Sequence, residues 1–449
     1  MSINELLSNV CVDVETLPAI GNEMLDSYMD EYNAAMVSLE QHSLALENIN
    51  SSIDSVVVAA RNLTTHRDSG KLTPEIESLV MDNVRRDVCK VGLDITVPSF
   101  ESVNEYTGDI SISMEGLGDA FKRLWDGVKR LTNGLIDAMG RVVKALFDLL
   151  TKVKRRVAKQ GKELASTGDT LRNQTIPMSK WKYLYVEGKK LEGVDVEDLK
   201  TLKSELVELA DLSVLRDAME TCVKALEEDE GGTSKSVNKS VMAVNEGLMK
   251  HYGLEKDSPD GDDSVGGLMA QLESLFLMQP LSSKKTYMGG LRLRGSAAVV
   301  ISGREKVLGK IYLNTLRVSV VRPDKSNKPG NVPAISRKEA IALNDAMSDV
   351  IGSLSDTMDE FKTNTAVLRK FSSDISKLKR PTLADIAVAT AGGVMVGGLP
   401  GGLAAVVTNV FAHKLTTPIA RVTGDVINHG VRVVNESYSY VETNRINYK

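Results

Sequence analysis

Apolar residues along the first part of the chain recur at three- and four-residue spacing, the period of one helix face. Leu25, Tyr28, Tyr32, Met36, Leu39, Leu46, Ile49, Ile53 and Val56 predict a long helix from Glu23 to about Leu63, and its stripe needs a helical partner. After the polar turn HRDSG, Thr73 fits an N-cap with Pro74 at the first helical position. Ile76, Leu79, Val80, Val84 and Val88 then carry a second stripe as far as Gly92, so the pair predicts a helical hairpin. Residues 93–115 lose this period and mix β-branched residues with Pro, Ser, Asn and Gly. That composition predicts an exposed, extended linker and a domain boundary.

The most regular stripe occupies 116–162: Leu117, Phe121, Leu124, Val128, Leu131, Leu135, Met139, Val142, Leu146, Leu150 and Val153. It predicts one amphipathic helix. Its other face is basic, with Lys122, Arg123, Lys129, Arg130, Arg141, Lys144, Lys152, Lys154, Arg155 and Arg156 opposed by Asp119, Asp126, Asp137 and Asp148, and with Trp125 at the apolar border. Such a helix packs in a bundle with its charges in water, or lies on an anionic membrane with Trp and Leu in the boundary. Bundle packing is the expectation.

Further on, KWKYLYVEGKK (180–190) alternates and places Trp181, Tyr183 and Tyr185 on one side, as a half-buried strand does. Helical patterns return at 196–228 and 235–252, followed by the loop KDSPDGDDS, whose aspartates lack the order and the closing Glu of an EF-hand. Period two between 285 and 322 predicts about three short antiparallel strands. Ser336 and Glu339 then form an S-x-x-E capping box at the start of a long helix that ends before Pro381. Residues 386–412 carry no charge, but Gly397, Gly398, Pro400, Gly401 and Gly402 divide them into two short apolar halves. A tight hairpin of small residues is expected there rather than a membrane span. The fold class is thus mainly α with a small antiparallel β-sheet (α+β), built on long amphipathic helices. The units read as 1–115, 116–165, an α+β middle at 166–335, a long helix at 336–380, and a Gly/Ala-rich hairpin with a C-terminal tail at 381–449.

Charge changes the picture because it is unevenly placed. The chain of 449 residues has a net charge of −5, yet residues 1–115 hold 6 Lys+Arg against 20 Asp+Glu, a balance of −14. The remaining 49 against 40 leave +9 for the rest. An acidic front on a basic body suggests a segment that masks, or is removed from, a surface facing nucleic acid or anionic lipid. Cys11, Cys89 and Cys222 form no CxxC pair, and the first residues lack a cationic and apolar leader, which argues against a disulfide scaffold, a zinc ribbon and a secreted precursor. His42, His66, His251, His413 and His429 are scattered without HExxH, no GxSxG occurs, and no G-K-[ST] follows the glycines of GGVMVGGLPGG. The sequence points to no enzyme, no metal site and no cofactor.

The segment ISISMEGLGDAFKRLWDGVKRL, where Ser113-Met114-Glu115 meets Gly116, resembles the junction of internal head proteins of large tailed phages of the giant-myophage type. The later order of strands, a Pro-rich loop with PAIS and a long helix is similar too. In that family a phage prohead protease cuts after Glu in short S-x-E motifs, the propeptide is removed, and the mature part stays in the head with the DNA, some members being ejected. The resemblance implies Ser113 and Glu115 as recognition residues and Glu115–Gly116 as the scissile bond, with 1–115 the propeptide. Ser38-Leu39-Glu40 and Ser99-Phe100-Glu101 match the same motif. It further implies a non-enzymatic virion protein of the capsid interior, assembled in the host cytoplasm, whose partners are the prohead protease, other interior proteins and packaged DNA. Two other expectations rest on the residues alone: a membrane-active, pore-forming helical protein using the basic helix and the glycine-rich hairpin, and a nucleic-acid-binding protein using the basic part.

Overall fold

The computed structural model describes residues 23–89, 91, 111–177, 193–227, several between 243 and 250, 254–256, 278–283, 285–302, 305–311, 316–320, 331–377 and 401–449. The aromatic strand expected at 180–190, the acidic loop and the first half of the glycine-rich hairpin lie outside these residues.

Four long helices make the frame: α1 (Glu23–Asp68), α3 (Ser111–Ala165), α6 (Arg337–Lys377) and α7 (Gly401–Asn447). The short helix α2 (Pro74–Cys89) folds back on α1 through a turn in which Gly70 has φ 65°. As the sequence predicts, the Ile76 amide donates to Thr73 Oγ1 at 3.4 Å, which places Thr73 as the cap of α2. The expected stripe of α1 is the buried one: Tyr32, Met36, Leu39, Leu46, Ile49, Ile53 and Val56 all enter the core. What covers it is α3 on one side and α7 on the other. α1 runs antiparallel to both, since Tyr28, Ser38 and His42 meet Lys152, Arg141 and Gly134, while Tyr32, Glu40 and Glu47 meet Gly424, Arg421 and Lys414. On its other flank α3 packs against α6.

Three expectations change. The linker does not extend to Glu115: α3 begins at Ser111, so SISME forms its first turns. β-branched residues are poor helix formers by themselves, and here the hydrogen bond of Ser113 to Glu77 on α2 helps to hold the first turn. The helix expected at 196–228 is two, α4 (Val196–Ala210) and α5 (Ser213–Glu227), because Asp211 accepts from the Ser213 amide at 3.0 Å and caps a new start. The end of the chain is not a tail. α7 takes in the second half of the predicted hairpin and continues through Pro418 to Asn447, with nearly every residue from Leu415 to Ser437 buried or half-buried.

The capping box at Ser336 is present: its amide donates to Glu339 Oε2 at 2.7 Å and the Glu339 amide donates to Ser336 Oγ at 3.3 Å. The next residue, Arg337, closes the end of α3, donating from Nε and Nη2 to the Leu164 and Ala165 carbonyls at 2.9 and 2.7 Å. The last turn of α7 is locked in a similar way. Lys449 donates its amide to the Thr170 carbonyl at 2.8 Å, and β1 (Thr175–Pro177) pairs antiparallel with β7 (Asn331–Pro333) beside it.

A five-stranded antiparallel sheet stands at one side. Its central strand β4 (Leu291–Ser302) pairs on one edge with β3 (Met278–Ser283), which pairs in turn with β2 (Leu254–Lys256). On the other edge, β4 pairs first with β6 (Arg317–Val320) and then with β5 (Glu305–Ile311). The expected strands are these, with β2 and β3 added by pairing rather than by any period of their own. Leu291 and Leu293 turn into the core, and the sheet is tied to α4 by Glu205, which accepts from the Met288 amide, and by Glu208, which accepts from Tyr287 Oη at 2.9 Å.

Candidate processing junction

The expected recognition residues fall in the first turns of α3 and point in different directions. Ser113 is wholly buried, and its hydroxyl donates to the carboxylate of Glu77 on α2, itself buried. Glu115 is exposed, while Gly116 and Leu117 turn inward. The scissile bond expected from the resemblance therefore has an accessible acidic side chain on one side and a buried backbone on the other. A protease reading Ser113 must first draw the start of α3 off α2, because cleavage needs an extended strand. Glu77 is the residue that the sequence reading missed. Its signal, an acidic position on the apolar face of α2, is visible between Thr73 and Met81.

The basic face of α3 is divided. Lys122, Arg123, Arg130, Arg141, Lys144 and Arg155 are exposed, whereas Lys129 and Arg156 are half-buried. Several members serve the bundle: Arg141 donates to Ser38 Oγ at 2.9 Å, Arg156 lies over the Tyr438 ring at 4.7 Å, and Lys129 lies 6.0 Å from the Trp125 ring. Trp125 is not at a border. It is 1% exposed and stacks on Phe121, so the apolar stripe that a membrane would need is spent on α1 and α6. No helix among the described residues is long and apolar enough to cross a membrane. Nor do three His, Cys, Asp or Glu side chains gather as a metal-binding group among the described residues.

A family model for phiKZ-like phage internal head proteins matches residues 23–443. The chain belongs to that family. Its place is accordingly the interior of the phage capsid, as a structural component of the virion. The match takes in α1 and α2 as well as the chain after Glu115 as far as residue 443, so the acidic helices lie within the region that the family model covers. Comparison with curated proteins and with solved structures gives no match.

A polar contact on α7 also joins the acidic front of this internal head protein to the rest. Arg421 donates to Glu40 Oε1 of α1 at 2.5 Å, and one turn on Asp425 Oδ2 accepts the Val318 amide at the edge of β6 at 3.1 Å. Tyr32 packs its ring between them, against Gly424. Burial pushes the Asp425 carboxyl up to about 7 against the pull of the Val318 amide, Arg421 and Arg317. Burial, and then the charge of Asp425, raise Tyr32 well above its ordinary range. The sequence carried a sign of this cluster in Lys414, Arg421, Asp425 and Arg432, which recur at seven- and four-residue spacing on one helix face.

One pH effect follows. A carboxyl raised from 3.8 to about 7 by folding binds its proton more tightly in the folded state, so between those values its contribution to stability falls as pH rises, then levels off. His429, one turn further along α7, is held down to about 3 by burial and then by Arg432, so its contribution is lost as pH falls below 6.5. The two oppose each other in the intact protein. The difference between Asp425→Asn and the unaltered chain isolates the first: thermal melts from pH 4.5 to 8 should show the variant gaining relative stability up to about pH 7. A constant difference across that range would show that Asp425 does not titrate there.

Proposed function

We propose that this internal head protein is a non-enzymatic virion component made as a precursor in the host cytoplasm and cut after Glu115 by the phage prohead protease. The partition of charge carries the reading: a cut at this bond separates a part with net charge −14 from one with +9. The remaining 116–449 then lies in the head beside packaged DNA and other interior proteins, its positive balance suited to phosphate. The exposed carboxylate of Glu115 in the first turns of a helix also supports the choice of bond, since α3 has to open only from its end. The alternative motif at Ser38-Leu39-Glu40 is mid-helix with Leu39 wholly buried, and Glu40 is held by Arg421.

Mass spectrometry of protein from mature particles tests this. A peptide starting Gly116-Leu117-Gly118 is expected, and Glu115→Gln should abolish it. Particles containing only chains that start at Met1 or Ser2 would overturn the reading.

A further inference from the structure

Outside the bundle, the open face of the sheet gathers positive charge by register. Strand β4 alternates: Leu291 and Leu293 face the core, so Arg292 and Arg294 stand on the opposite face. Arg294 is directly opposite Arg317 of β6 on one side and Ser282 of β3 on the other. Arg292 is directly opposite Ser319. Residues directly opposite in an antiparallel pair project to the same face, so three guanidinium groups and two hydroxyls share one small area. Arg294 and Arg317 are exposed, and Arg292 is steadied by donating Nε to Thr286 Oγ1 at 2.7 Å.

Two features of this face are unfavourable for the chain by itself. Like charges directly opposite each other across strands repel. The hydroxyl oxygens of Ser282 and Ser319, covered on this face, have no hydrogen-bond partner among the described residues, although buried hydroxyls nearly always have one. An anion on the exposed guanidinium groups relieves the first of these, since it accepts from planar guanidinium forks and neutralises the paired charges. Carboxylates nearby do not suffice. Asp425, whose carboxyl also feels the charge of Arg317, accepts the Val318 amide and is shared with Arg421.

We infer that Arg294 and Arg317, with Arg292 beside them, form a binding site for a phosphate oxyanion on this face of the sheet. Within the head the chemistry is supplied by the phosphodiester backbone of DNA; a free phosphate or pyrophosphate is the other source. DNA as the source rests on the proposed place of the mature chain beside packaged DNA. The site itself belongs to the uncut chain as well, so it is testable whether or not Glu115 is cleaved. It is distinct from the basic face of α3.

The experiment uses the full-length chain and a fluorescent 20-base-pair duplex, with anisotropy measured from 50 to 200 mM salt. Arg294→Gln with Arg317→Gln should weaken binding at least tenfold at the lowest salt. It should also flatten the log–log salt slope by about 2, one step of roughly 0.9 for each lost phosphate contact. Lys122→Gln with Arg130→Gln on α3 should leave both nearly unchanged. Thermal melts show whether the sheet variant is folded; relief of the like-charge pair predicts a melting temperature no lower than that of the unaltered chain. Pyrophosphate that raises the melting temperature of the unaltered chain but not of the sheet variant, without duplex binding, would assign the site to free phosphate. Equal losses from the sheet and α3 variants, or no difference between the sheet variant and the unaltered chain with either probe, would overturn the inference.

Discussion

A chain beginning at Gly116 is expected to lose its monomeric, cooperative fold, eluting as a self-associated species that binds an apolar dye, whereas the full chain does not. The reason is the share of the core that α1 supplies. Leu39, Ile49, Ile53, Val56, Ala60 and Leu63 are all wholly buried, and Tyr32, Met36 and Leu46 nearly so. At roughly 1.5–3 kcal/mol for each large side chain, their burial is worth on the order of 10 kcal/mol or more. Net stabilities of folded domains are only about 5–15 kcal/mol. Removing α1 also uncovers its counterparts on α3 and α7, leaves Arg421 and Lys414 without Glu40 and Glu47, and strips the cover from Tyr32's site beside Gly424. Light scattering on a sizing column reads the outcome directly, and residues 23–92 supplied as a separate chain should restore the compact form. For the same reason a full-length chain nicked after Glu115 should stay in one piece under native conditions and part only in denaturant. A compact monomer of 116–449 by itself would show instead that α3, α6 and α7 can close over the space. On this expectation a cut after Glu115 leaves the segment in place until the core that it shares with α3 and α7 opens.

The close approach of α1 to its neighbours sets up a second large effect. Gly424→Ala should destabilise the protein by about 1–3 kcal/mol, the usual cost of forcing volume into a packed core. A Cβ at this position falls 1.9 Å from Tyr32 Oη and 2.4 and 2.6 Å from its Cζ and Cε2, and the ring is only 5% exposed with nowhere to move. Gly134 on α3 offers the contrast. A Cβ there falls 2.3 and 2.4 Å from Nε2 and Cδ2 of His42, but that ring is half-buried and turns toward solvent at the cost of its Nδ1 hydrogen bond to the Ser38 carbonyl at 2.6 Å. Alanine is also favoured over glycine by up to about 1 kcal/mol inside a helix. Gly134→Ala is thus expected to be close to neutral and Gly424→Ala clearly harmful, in denaturant titrations of the two. Combining Gly424→Ala with Tyr32→Ala should cost less than the sum of the two changes, because the clash disappears with the ring. Simple additivity would mean that the helices adjust without using Tyr32 as the point of contact.

Much of the architecture was readable before any coordinates. The stripes of α1, α2 and α3, the caps at Thr73 and Ser336, the period-two region that becomes β4 to β6, and the break in charge near Glu115 each arise from local spacing, and local spacing reports which face of an element is apolar. It does not report what covers that face. α7 shows the limit most clearly. It is buried nearly all round, so it has no two-sided pattern, and its Thr416, Thr417, Asn428 and Glu436 look like a polar tail until neighbouring elements enclose them. The junction shows it again: SISME lacks helical character by composition and is helical with Ser113 hydrogen-bonded to Glu77.

By itself the sequence determined the helical class, the positions of most long elements, the uneven charge and the resemblance that the family match made firm. Only the tertiary structure decided that the acidic front is built into the core, that Ser113 is hidden while Glu115 is not, and that three arginines separated by up to 25 positions share one face of a sheet. The division follows from range. Periodicity and capping act within a few turns of chain, whereas the partner of an apolar stripe, the burial of a hydroxyl and the neighbours of a charge are set by which distant elements meet.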